Sequence, residues 1–145
     1  MIGRSFNALV AADWEPAACR VFLEESSPAR LRDALQTAAH AAGAFSDSGV
    51  LGFILMPRPS VLGMLFVDPG SLRLGIGRQL WEHARAHVEA SFPDVKTVEL
   101  NASPQAVPFY RSVGFTPISA EFRRAGCRAT RMACWLPARA LGAVL

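Results

Sequence analysis

The feature that most constrains this chain is a change of hydrophobic period across residues 60–88. Ser60 to Val67 is a nearly continuous apolar run, the length of one buried strand. Asp68-Pro69-Gly70 ends it, and Ile76, Leu80, Ala84 and Val88 then recur on one helical face. Between the two lies Leu72-Arg73-Leu74-Gly75-Ile76-Gly77-Arg78-Gln79-Leu80. A strand that feeds a helix through such a loop gathers unpaired backbone amides at the positive end of the helix dipole. That arrangement favours a phosphate or pyrophosphate, and glycine lets the ligand approach without a Cβ in the way. A Gly-x-Gly is weak evidence alone, a tight turn being the plain alternative. No Gly-Lys-Ser/Thr follows and a third glycine is missing, which disfavours a P-loop and a dinucleotide fold.

The flanking sequence supplies the other layers. Asp13 is expected to cap a helix from Trp14 to Glu24, and Ser27 before Pro28 starts a second helix carrying Leu31, Ala34, Leu35 and Ala38. Ala44–Ser46, Val50–Met56 and Val61–Val67 read as strands of an antiparallel meander, turned at Asp47-Ser48-Gly49 and Pro57-Arg58-Pro59. The glycine-led helix ends near Phe92-Pro93-Asp94, and Thr97–Asn101 is a further strand. Ser103 is expected to cap a short helix with Pro104 in its first position, stopping at Gly114. Phe115–Phe122 and Thr130–Leu136 close the chain as strands joined around Ala125-Gly126. The order is α+β, in one domain over residues 1–145, with a strand-helix-strand crossover that makes Val61–Val67 and Thr97–Asn101 parallel neighbours.

Composition excludes more than it identifies. Of 145 residues, 51% are apolar and 19% charged, far from the disordered range, and the apolar runs are too short to span a bilayer. The first residues lack an export signal, and three irregularly spaced cysteines, Cys19, Cys127 and Cys134, fit a reducing, cytoplasmic setting better than disulfides or zinc. The net charge of +3 is almost all arginine. Only Arg123, Arg124, Arg128 and Arg131 cluster, without interleaved aromatics, so a nucleic-acid partner is not favoured. His83 and His87 sit four apart on one helix, but no further ligand is in view and no metal is assigned.

The second informative segment runs from Asn101-Ala102-Ser103 through Ala106 and Phe109-Tyr110 to Gly114-Phe115. Paired with the loop upstream, it closely resembles the GCN5-related N-acetyltransferase (GNAT) superfamily, with good registration over residues 50–115. The family pattern is Arg/Gln-x-x-Gly-x-Gly/Ala after a strand ending in Val-Asp-Pro, then Asn-x-x-Ala-x-x-x-Tyr-x-x-x-Gly-Phe. Here Leu72 stands where Arg or Gln is usual, Arg73 and Leu74 where glycine and a basic residue are usual, and Ser103 where Asn is usual, with Asn101 two residues earlier.

The resemblance implies a mixed sheet of about six or seven strands flanked by about four helices. The sheet would be splayed where Val61–Val67 meets Thr97–Asn101. Acetyl-coenzyme A would lie in the splay, with pantetheine along Leu65, Phe66 and Val67. Its pyrophosphate would sit on the amides of Arg73, Leu74, Gly75, Ile76, Gly77 and Arg78, and Leu72, Asn101, Ser103, Ala106 and Phe109 would also belong to the cofactor site. Tyr110, the only tyrosine, would act as general acid towards the leaving thiolate. Glu99, which faces either the cleft or solvent by strand alternation, would be the candidate base. The acceptor would be an amine of unstated identity, small molecule or peptide, and a homodimer is left open. A non-catalytic acyl-coenzyme A sensor of the same fold is the alternative, and Leu72 is the residue that favours it.

Overall fold

The computed structural model describes residues 1–137. In chain order the elements are α1 (Ile2–Leu9), α2 (Pro16–Glu25), α3 (Pro28–Thr37), β1 (His40–Ser46), β2 (Gly49–Met56), β3 (Met64–Val67), α4 (Ile76–Ser91), β4 (Thr97–Ala102), α5 (Val107–Ser112), β5 (Thr116–Pro117), β6 (Phe122–Arg124) and β7 (Cys127–Trp135). Short 3-10 turns at Ala11–Asp13 and Pro69–Ser71 complete the path.

Two sheets share the core. β1, β2 and β3 form the expected antiparallel meander, with Ile54 opposite Leu65 and Phe53 opposite Phe66. β4 pairs antiparallel with β7, whose other edge carries β5 and β6. A single parallel bridge, Val61 with Glu99, joins the sheets. The main chain of Glu99 donates to Ser60 O at 2.9 Å and accepts from Leu62 N at 3.0 Å. The crossover strands are therefore parallel neighbours for about one residue pair, and beyond it they part. The expected strand Val61–Val67 shortens to Met64–Val67 because its ladder with β2 covers only those residues, while Val61 is bridged back to Arg58 in the preceding turn.

α4 packs across both sheets because its Leu80, Trp81, Ala84 and Val88 form one buried stripe, meeting Ile54, Met56, Val98, Leu100 and Met132. Gly52 permits this contact: a Cβ there would lie 2.8 Å from Ile76 Cγ2 and 3.0 Å from Leu80 Cδ1. Burying a Leu or Val of this stripe contributes about 1.5–3 kcal/mol each.

Several expected boundaries need correction. α1 was not anticipated. α2 begins at Pro16 after Glu15, and Asp13 lies in the preceding 3-10 turn, where its carboxylate is 3.1 Å from Arg128 Nη1 instead of capping a helix. Ser27 does cap α3, accepting from Arg30 N. The segment from Ser103 first forms a backbone turn, with Ala106 N donating to Ser103 O at 2.9 Å. α5 then starts at Val107 with Pro108 in its first turn, so Ser103 is no helix cap. β1 is longer than expected, and the stretch Phe115–Phe122 is broken into two short strands. The final strand starts earlier, at Cys127, after the left-handed pair Ala125-Gly126. Among the described residues the three cysteines are free, and no helix is long and apolar enough to cross a membrane.

Candidate functional site

The parting of β3 from β4 opens a cleft of about 520 Å³. Its floor is Leu65, Phe66 and Val67; one wall is Ser103, Gln105, Ala106, Phe109, Tyr110 and Ser112; its far end is Ser71, Leu72, Arg73, Gly75, Ile76, Gly77 and Arg78. Ser5, Leu9 and Val10 close the other side. Most of the expected residues are thus brought together. Leu74 is exposed outside the lining, and Asn101 and Glu99 are not part of it.

The floor has a free backbone edge. Asp68 N donates to Leu51 O at 2.7 Å, which fixes the phase of the β2–β3 ladder. Main-chain groups alternate in direction along a strand, so those of Leu65 and Val67 point away from β2, into the gap where β4 has departed.

The far end is built from main chain. Gly75 takes the left-handed conformation at φ 77°, and Arg73 does so at φ 65° without being glycine. A non-glycine residue in this region costs on the order of 1 kcal/mol. Among the described residues, the backbone amides from Leu72 to Arg78 have no acceptor; the first paired one is Gln79 N, donating to Gly75 O at 3.0 Å. A Cβ at Gly75 would meet nothing within 4 Å, so its open side is free for a ligand. Gly77 is constrained by packing, since its Cβ would lie 3.0 Å from Phe109 Cζ.

The two arginines here differ. Arg78 is engaged, donating to Ser112 O at 3.1 Å and lying 4.0 Å from Glu82. Arg73 has no ion pair or hydrogen bond among the described residues. A concave run of free amides beside an uncommitted cation matches a pyrophosphate in charge and geometry. Leu72, 40% exposed, adds apolar surface and no charge.

Tyr110 is 8% exposed and packs edge-on against Phe109 and Phe115, with ring centroids 5.2 and 5.5 Å away. Its carbonyl accepts from Phe115 N at 2.9 Å, fixing the backbone after the helix. Among the described residues its hydroxyl has no hydrogen-bond partner, and burial pushes its pKa well above the ordinary phenol value. A phenol held this way is protonated at neutral pH and can donate a hydrogen bond.

Glu99 is half-buried. Val98, Leu100 and Ala102 point into the core, so its carboxylate lies on the opposite sheet face, at the point where the strands part. His40 sits between the imidazoles of His83 and His87, with His40 Nε2 3.3 Å from His83 Nδ1. Among the described residues no group of His, Cys, Asp or Glu side chains is arranged to hold a metal ion.

The wall from α1 was missed by sequence reasoning. Its signal was the spacing Ile2, Phe6 and Leu9, a one-face helical pattern too short to stand out. The helix is tied down by Arg4, whose Nη2 is 2.8 Å from Asp68 Oδ1. That hydrogen bond, ahead of the opposing desolvation, holds the Asp68 carboxyl below the usual carboxylate range.

Comparison with known proteins agrees with this fold. The model of the acetyltransferase (GNAT) domain family matches residues 10–136. No curated protein matches the chain in sequence. Among solved structures, a GCN5-related N-acetyltransferase from Rhodopseudomonas palustris superposes with a TM-score of 0.77 at 19% identity, covering 92% of this chain and 84% of that one. The PaiA N-acetyltransferase of Thermoplasma acidophilum, in complex with coenzyme A, gives 0.76 at 18% identity, covering 92% and 87%. An aminoglycoside 6'-N-acetyltransferase complexed with coenzyme A gives 0.63 at 15%, covering 81% and 86%.

Proposed function

The chain belongs to the GNAT acetyltransferase family, and from that premise we propose that it transfers an acetyl group from acetyl-coenzyme A to an amine. The observation that carries this reading is the continuity of the cleft. Free amides from Leu72 to Arg78 lead along the open edge of Leu65 and Val67 to the Tyr110 hydroxyl.

When bound, the cofactor supplies an activated thioester; the amine nitrogen bonds to its carbonyl carbon as the carbon–sulfur bond breaks, leaving an amide and a thiol. The chain's residues hold and neutralise what that exchange creates. The loop amides and Arg73 take the pyrophosphate charge. Alternation selects Val67 N–H as the donor aimed at the thioester carbonyl, a role worth about 3–4 kcal/mol in comparable sites. Tyr110 gives its proton to the departing sulfur. Burial disfavours the phenolate, and the same dry cleft disfavours the thiolate, so the transfer is closer to balanced than the phenol's raised pKa alone suggests. The amine's proton leaves on the other face of the sheet, where Glu99 is the proposed acceptor through water.

The test is release of free coenzyme A thiol with a panel of amines. Turnover with at least one amine supports the reading. Tight acetyl-coenzyme A binding without turnover on any amine would favour the acyl-coenzyme A sensor instead, the reading that Leu72 supports.

A further inference from the structure

Several buried side-chain polar atoms lack a hydrogen-bond partner among the described residues: those of Ser5, Asp13, Trp14, Ser26 and Trp81. Of these residues only Ser5 lines the cleft. It is 0% exposed, next to Phe6, which is also 0% exposed and stacks on Phe22 at 4.3 Å. A lone hydroxyl in such a place lowers stability, and alanine would serve the helix better. Nothing in the packing of α1 requires it.

Its position narrows what it could meet. Arg4, the preceding residue, is held to Asp68 at 2.8 Å, just past the end of β3. Ser5 therefore stands over the Phe66–Val67 end of the cleft floor. Leu9, Val10 and Phe66, which line the same cleft, carry no charge, and Arg4 is already paired with Asp68, while the free amides and Arg73 belong to the loop beyond. A phosphate has no counter-charge here. An amide does suit the site, because it donates and accepts, as a hydroxyl does. The three staggered χ1 positions of serine let the oxygen turn towards a ligand lying on the floor.

We propose that Ser5 is a positioning residue that hydrogen-bonds an amide of the pantetheine arm of the acyl cofactor. The proposal rests on the acyl-coenzyme A reading above. It explains why a destabilising buried hydroxyl stands on an otherwise apolar helix face.

The test compares wild type, Ser5→Ala and Ser5→Cys by calorimetric titration with coenzyme A and with adenosine 3′,5′-bisphosphate, which lacks the arm. Both variants should bind coenzyme A about fivefold to tenfold more weakly and bind the bisphosphate as wild type does. The ligand-free Ser5→Ala protein should melt at the same temperature or higher, which a merely structural serine would not combine with lost affinity. Unchanged coenzyme A affinity in Ser5→Ala overturns the proposal, as does equal weakening for both ligands, which would mean α1 has shifted. Wild-type affinity in Ser5→Cys would make the effect one of volume and also overturn it. A change confined to the KM of an amine acceptor would place the contact on the acceptor and overturn it too. If wild type binds neither ligand, the acyl-coenzyme A reading falls first and this proposal with it.

Discussion

α4 and α5 place Leu80, Trp81, Ala84, Val88 and Tyr110 in one buried cluster, whereas α2 and α3 bury no residue fully. The first region is held by continuous apolar packing. The second is tied at its start, where Glu15 N donates to Gly126 O at 2.8 Å and the preceding turn holds Asp13 3.1 Å from Arg128, and α1 beside it is tied by Arg4, 2.8 Å from Asp68. Phe22 adds a small aromatic cluster, its ring 4.3 Å from that of Phe6, 5.9 Å from that of Trp14 and 5.7 Å from that of Phe66. The wall built from α4 and α5 is fixed by the core and cannot drift without cost, while the side built from the first helices can shift at lower cost.

The sharpest way to break this comparison is at the chemical end of the packed wall. Tyr110→Phe keeps the ring contacts to Phe109 and Phe115 but removes the proton. Turnover should fall by about a hundredfold or more, with acetyl-coenzyme A affinity unchanged. Steady-state kinetics beside a binding titration check this; equal turnover would take Tyr110 out of the reaction.

A smaller effect is expected at the ties. Arg128 is bonded to both Asp13 and Glu121, and its loss leaves the half-buried Asp13 carboxylate without its partner. Arg128→Ala should cost about 1–2 kcal/mol of stability. Amide exchange should quicken in α2 while α4 stays protected. Uniform exchange across both helices would erase the proposed contrast.

The smallest effect is a pH dependence inside the packed region. Burial lowers the His40 pKa from its ordinary 6.5, and the neighbouring His87 and His83 lower it further. The unfolded chain therefore takes up this proton at a higher pH than the folded one. The stabilising contribution is complete above pH 6.5 and is lost as the pH falls towards the depressed value. Melting temperature should drop from pH 7 to pH 5, and His40→Phe should flatten that slope.

The same contrast decided what could be read in advance. The loop, α4 and the Tyr110 segment declare themselves through local rules: glycine at forced turns, a long apolar stripe, an ordered pair of motifs. Ser5, Leu9 and Val10 did not, because α1 is only 8 residues and acquires meaning from Asp68 far along the chain. Asp13 looked like a helix cap because its partner, Arg128, is distant in sequence. Ser103 lies in the cleft but is not the expected cap, since the helix starts at Val107, with Pro108 rather than Pro104 in its first turn. The shortness of β3 was likewise unreadable, for it depends on where its ladder with β2 ends.

The central claim is that the loop from Leu72 to Arg78 binds an acyl-coenzyme A although Leu72 brings no charge. Calorimetric titration of the wild-type protein and of Gly75→Trp with acetyl-coenzyme A tests it most directly. The account predicts binding of about micromolar strength in the wild type, lost when the indole fills the open side of Gly75. No binding to the wild type, or equal binding to both proteins, would contradict it.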